Sequence, residues 1–167
     1  QFTQLVLYTI FKIIGTSPIL WHLLETSAHA INCLMLYIIC KGVLEDSKVN
    51  NAGLISFAGV FLYALTPYNT EVVVHEPCYH YLQGYFIVLL ILYWLQRYQH
   101  DQKRGYAWAA GILYFLSTYS LEVFYFTPWL CLAMMVYYRV SLKYAAAIFR
   151  RSLLYFFLPM LLLYGAH

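Results

Sequence analysis

The chain has 167 residues, of which 63% are hydrophobic and 10% charged, with a mean hydropathy of +0.64. That balance excludes an ordinary soluble domain and points to a polytopic membrane protein. The formal net charge of +3 is gathered in short loops, so it signals orientation in a bilayer and not nucleic-acid binding.

The first element is "QFTQLVLYTIFKIIG". Gln1, Gln4, Tyr8 and Lys12 share one face, while Phe2, Leu5, Leu7, Ile10, Phe11, Ile13 and Ile14 cover the rest. Residues 1–16 therefore read as an amphipathic helix lying on the outer membrane surface, ended by Gly15 and the "TSP" break. The opening on Gln1 and the close on an apolar run fit a segment of a longer polypeptide.

Residues 17–167 then read as an all-α transmembrane bundle of about six spans. Apolar runs occupy residues 18–40, 51–66, 82–96, 106–120, 123–138 and 152–166. Basic residues cluster at Lys41 and Lys48, at Arg97, Lys103 and Arg104, and at Arg139, Lys143, Arg150 and Arg151. The positive-inside rule makes all three clusters cytoplasmic. Residues 49–96 and 105–138 must each go out and come back, on legs of about 15 residues covering roughly 22 Å of a roughly 30 Å core.

Their turns, "TPYNTEVVVHEPCYHY" and "STYSLEVFYFTP", therefore dip into the membrane on the periplasmic, luminal or extracellular side. Irregular backbone at that depth needs a protein-lined or watery cavity. Thr66, Asn69, Thr70, Glu71, His75, Glu76, His80, Ser120 and Glu122 would face it, and the tyrosines at 68, 79, 81 and 119 suit an interfacial belt. The only Lys or Arg on that side is Lys12. Thr66-Pro67 should break its helix, because proline removes a donor and disfavours helix before it.

Within the first span, "WHLLETSAHAIN" carries His22, Glu25, His29 and Asn32 at steps of three, four and three, which keeps all four near one helical stripe. Three roles are open: hydrogen-bonding glue between helices, one wall of a substrate cavity, or ligation of a metal or tetrapyrrole. His22 and His29 lie roughly 10 Å apart along the axis, too far to share one ion. His22 with Glu25, or Glu25 with His29, could share one. Glu71 with His75 could cap the polar turn or supply a base, and Glu122 suits the first turn of a following helix. The four cysteines, Cys33, Cys40, Cys78 and Cys131, form no CxxC pair and read mostly as small hydrophobes.

These blocks resemble a known family. "WHLLETSAHAINCLMLYIIC" is similar to the second span of the GT-C superfamily of polyprenyl-phosphate-sugar-dependent membrane glycosyltransferases, most closely the protein O-mannosyltransferase-like branch with its H-x-x-N-x-x-x-H-x-x-N pattern. His22, His29 and Asn32 match, and Glu25 stands where Asn is usual. "LYALTPYNTEVVV" is similar to the family's L-F-A-L-H-P-x-H-T-E-A-V; Pro67, Thr70 and Glu71 match, with Thr66 and Asn69 at the two His positions. "LSTYSLEVFYFTPWL" is similar to the L-S-K-E block, where Glu122 matches and Leu121 replaces Lys. The order and spacing of the blocks agree over nearly the whole chain.

The resemblance implies attack by an acceptor hydroxyl on the anomeric carbon of a lipid-phosphate sugar at the non-cytoplasmic face. It makes His22, Glu25, His29, Asn32, Thr70, Glu71, His75 and Glu122 the cavity residues. A polyprenyl-phosphate-linked sugar would be the donor, and a divalent metal is a candidate cofactor. The family's catalytic Asp belongs to a loop ahead of Gln1, and its Arg after T-E-A-V falls at about Tyr79. The alternative is a non-catalytic integral subunit of an energy-transducing or pigment-bearing membrane complex, built on the same scaffold. The expected partners are the bilayer, the lipid donor and other integral subunits, with no nucleic acid.

Overall fold

A computed structural model describes residues 2–66, 79–118 and 127–137. Every regular element among them is an α-helix: α1 (Phe2–Ile14), α2 (Pro18–Asp46), α3 (Ala52–Ala64), α4 (Tyr79–Asp101), α5 (Arg104–Thr118) and α6 (Thr127–Tyr137). The all-helical expectation holds there. The turns expected to carry Thr70, Glu71, His75 and Glu122, and the run at 152–166, lie outside the described residues. Two compact units divide the chain, Gln1–Leu89 and Leu90–His167, with α4 contributing its first half to one and its second half to the other.

In the first unit, α1 ends where expected. Gly15 adopts φ +62°, a left-handed conformation open to glycine at no steric cost, and its N–H closes on the Phe11 carbonyl at 2.8 Å. Ser17 then caps α2 from extended backbone, with Pro18 at the first helical position, where its missing N–H costs nothing.

The second helix runs on to Asp46, past the apolar run that ends at 40. Lys41 and Glu45 face each other at 3.7 Å one turn apart, so the polar tail remains good helix. It stops in a Schellman closure, in which Val49 N–H bonds Leu44 O (3.0 Å) and Lys48 N–H bonds Glu45 O (2.9 Å). Lys48 holds the left-handed position, φ 57°, that glycine usually fills.

Among the described residues α2 is the one helix both long and apolar enough to cross a membrane. Its 29 residues reach about 44 Å. α3 is apolar, but its 13 residues cover only about 20 Å. α4 is long enough at 23 residues, but its tyrosines, glutamines and Arg97 dilute its apolar character. Among the described residues, then, one helix qualifies as a candidate span where the sequence suggests about six.

α2 and α3 pack as an antiparallel hairpin. Tyr37 lies against Gly53 near the turn, and His29 lies against Tyr63 farther along. α3 ends at Ala64, before Thr66-Pro67 as expected, and Thr66 turns its hydroxyl back to the Leu62 carbonyl at 3.0 Å. The core of this unit holds Trp21, Ile39, Ala52, Tyr79, Leu82 and Leu89.

In the second unit Ile91, Leu95, Ala110, Tyr114 and Cys131 are buried with Gln96 and Thr127. Its α4–α5 corner turns on Gln102 at φ 51°, beside an Arg97–Asp101 ion pair of 3.0 Å.

Candidate functional site

The polar stripe of α2 divides in two when the helix packs. Trp21, Glu25, Asn32 and Ile39 are its buried residues. At 100° per residue these four fall within about 40° of one another, whereas His29 lies about 65° and His22 about 85° off their mean direction. Glu25 and Asn32 are accordingly 0% exposed, His29 is half-buried, and the His22 side chain is 54% exposed. A spacing of three and four residues defines a broad stripe, and the packed line is narrower.

Each member has a different neighbour. His22 Nδ1 stands 3.5 Å from Glu25 Oε2, so a solvent-facing imidazole touches a wholly buried carboxylate. This pair sits one to two turns into α2, where three chain segments are joined. The Trp21 indole N–H donates to the Gly15 carbonyl at 2.9 Å, and the Trp21 ring meets Tyr79 of α4 edge-on, centroids 6.4 Å apart at 79°. The first turns of α2 are therefore fixed against both the end of α1 and the start of α4.

Two turns along, the Asn32 amide Nδ2 donates to the Leu82 backbone carbonyl of α4 at 3.0 Å. Its own oxygen has no hydrogen-bond partner among the described residues. This is the helix-to-helix bond that the glue reading of the stripe anticipates.

His29 turns instead to α3. Its ring lies 5.9 Å from that of Tyr63 and bonds the Ala64 backbone, while Nε2 is 3.7 Å from Cys33 Sγ. Tyr63 continues to Tyr85 of α4, with rings 5.8 Å apart and a side-chain hydrogen bond between them. The sequence reading missed this group. The available signal is the four-residue step from His29 to Cys33, which a reading of the cysteines as small hydrophobes passes over.

The structure thus joins His22 to Glu25, ties Asn32 to α4 and sends His29 to α3. Thr70, Glu71, His75 and Glu122 fall outside the described residues, as do Asn69, Glu76 and Ser120. The His80 ring lies tilted against that of its neighbour Tyr81, centroids 4.1 Å apart, and Thr66 is spent on its own helix. No three His, Cys, Asp or Glu side chains converge on one point among the described residues, so these residues alone do not make a divalent-metal centre.

Comparison of the chain with protein-family models, with curated proteins and with solved structures finds no match.

Proposed function

We propose that this chain is the membrane domain of a GT-C-type glycosyltransferase that uses a polyprenyl-phosphate sugar at the non-cytoplasmic face. The observation that carries the reading is Glu25, a carboxylate buried to 0% within an apolar span and touched by an exposed histidine. Ionisable groups in such spans are expensive and are retained where they meet substrate, ions or protons. The order of the three sequence blocks adds the reaction class.

Large apolar side chains that the packing leaves exposed support the membrane setting. On α2 these include Ile19, Leu23 and Leu34, and on α3 Leu54, Phe57 and Leu62. Large apolar side chains exposed in this number call for lipid or a partner. The basic loops then lie in the cytoplasm, and the end of α2 that bears His22 lies on the opposite side.

In the proposed reaction an acceptor oxygen forms a bond to the anomeric carbon as the bond from that carbon to the phosphate oxygen breaks. The electron pair leaves with the lipid phosphate, and a carboxylate accepts the hydroxyl proton. Glu25, itself enclosed, would orient His22, which reaches out beside it toward the sugar phosphate. Asn32 and His29 hold the wall in place through α4 and α3. Glu71 and Glu122 are the candidate bases that the resemblance supplies. No step is assigned to a metal.

A photoreactive polyprenyl-phosphate mannose tests the reading directly. It should label a peptide containing His22–Asn32, and an excess of the unmodified lipid should abolish that labelling. Labelling spread evenly over all helices would remove the basis for a donor site.

One observation favours a second reading, that of the non-catalytic membrane subunit. Tyr79, at the position where the family carries Arg, is buried against Trp21 and serves as packing. That reading requires fixed-stoichiometry co-purification with other integral membrane proteins and no labelling by the donor.

A further inference from the structure

We propose that His29 and Cys33 together form a binding site for a single cuprous ion on the face of α2 that meets α3. The inference is independent of the sugar-transfer reading and stands on the pair's own geometry.

The two residues are one turn apart on α2, and His29 Nε2 lies 3.7 Å from Cys33 Sγ. With metal–sulfur and metal–nitrogen bonds of about 2.3 and 2.0 Å, one ion holds such donors about 3.5 Å apart when tetrahedral and about 4.3 Å apart when linear. The observed separation falls inside that range, so an ion can enter with little movement of the helix. Both side chains are half-buried, which leaves the pair reachable.

The imidazole is also held from behind. It bonds the Ala64 backbone and lies against the Tyr63 ring, which in turn hydrogen-bonds Tyr85. A neutral imidazole that donates from one nitrogen to a backbone carbonyl presents the lone pair of the other, which is the usual support behind a ligating histidine.

Ligand number and charge select the ion. No third His, Cys, Asp or Glu joins the pair among the described residues, and Cys40 is seven residues away, about 10 Å along the axis. Zinc would require four donors. Soft thiolate favours the cuprous ion, which accepts two or three ligands. The thiol releases its proton to water as the ion binds, and copper stays in the +1 state throughout. One thiolate, one neutral imidazole and Cu⁺ sum to zero charge, whereas a divalent ion on the same donors would leave a net positive charge in apolar surroundings.

The test is titration of the purified full chain in detergent with Cu⁺, in competition with the chromophoric chelator bicinchoninate. The wild type should take up one Cu⁺ per chain. Cys33→Ser and His29→Gln should each weaken uptake by at least about tenfold, and Cys40→Ser should match the wild type. The copper X-ray absorption spectrum of the wild type, which depends on no variant, should show one sulfur and one nitrogen neighbour. Unaltered uptake by Cys33→Ser, an equal loss in Cys40→Ser, or a spectrum without mixed sulfur and nitrogen ligation would overturn the site.

Discussion

The side-chain amide of Asn32 donates to the backbone carbonyl of Leu82 at 3.0 Å, and both residues are buried. A polar residue inside an apolar helix thereby ties α2 to α4. Replacing it with alanine removes the bond and leaves the Leu82 carbonyl with its intrahelical partner alone. Asn32→Ala should lower unfolding free energy by about 1 kcal/mol, the usual worth of one interhelical hydrogen bond in a membrane setting. Asn32→Asp should cost more, because it places a carboxylate beside a carbonyl oxygen. Equilibrium unfolding in mixed micelles measures both.

The corner between α1 and α2 depends on Trp21. Trp21→Phe keeps a ring against Tyr79 but deletes the donor to the Gly15 carbonyl, at a cost of about 1 kcal/mol. The effect should be local. Trypsin cleavage after Lys12 should accelerate by about fivefold, the factor expected for a change of that size, while cleavage after Arg97 should not change.

Lys48 occupies a left-handed backbone position at φ 57° in the closure that ends α2. For a residue with a Cβ that conformation costs about 1 kcal/mol, which glycine avoids. Lys48→Gly should therefore raise the unfolding midpoint by a few degrees, on the scale of about 3 °C per kcal/mol for a chain of this size. A fall in the midpoint would mean that the lysine side chain contributes more than its backbone costs.

The sequence was most informative where a single residue decides local structure. Gly15 and Thr66-Pro67 mark helix ends because glycine tolerates positive φ and proline disfavours helix before it, and both ends lie where those rules put them. The end of α2 was less legible. Apolar length marks how much helix suits hydrocarbon, not where the helix stops, and the Lys41–Glu45 pair carries it onward. The polar stripe could be recognised by its period, but which members turn inward depends on the direction of α4. Glu25 and Asn32 face the core, and His22 does not. The His29–Cys33 pair was written in the spacing, but its meaning needed the Tyr63 and Ala64 neighbours from α3.

The proposed orientation rests on the basic loops. Single cysteines introduced at Lys48 and Lys103, in a background without the native thiols, should react with a membrane-impermeant maleimide only from the cytoplasmic side. A cysteine at Thr16 should react only from the other side. Labelling at Thr16 and Lys48 from the same side would contradict the α2 crossing, and labelling at Lys48 and Lys103 from opposite sides would contradict the out-and-back arrangement.

The central claim is that the buried carboxylate of Glu25 serves a sugar-transfer site. Its most direct test is transfer of labelled mannose from polyprenyl-phosphate mannose to a hydroxyl acceptor, in proteoliposomes that contain the product of the gene encoding this sequence. The wild type should turn over the donor. Glu25→Gln, which keeps the shape and removes the ionisable group, should fold normally and lose at least about tenfold in kcat/KM. Full activity in Glu25→Gln, or no donor turnover by a correctly folded wild type, would contradict the account.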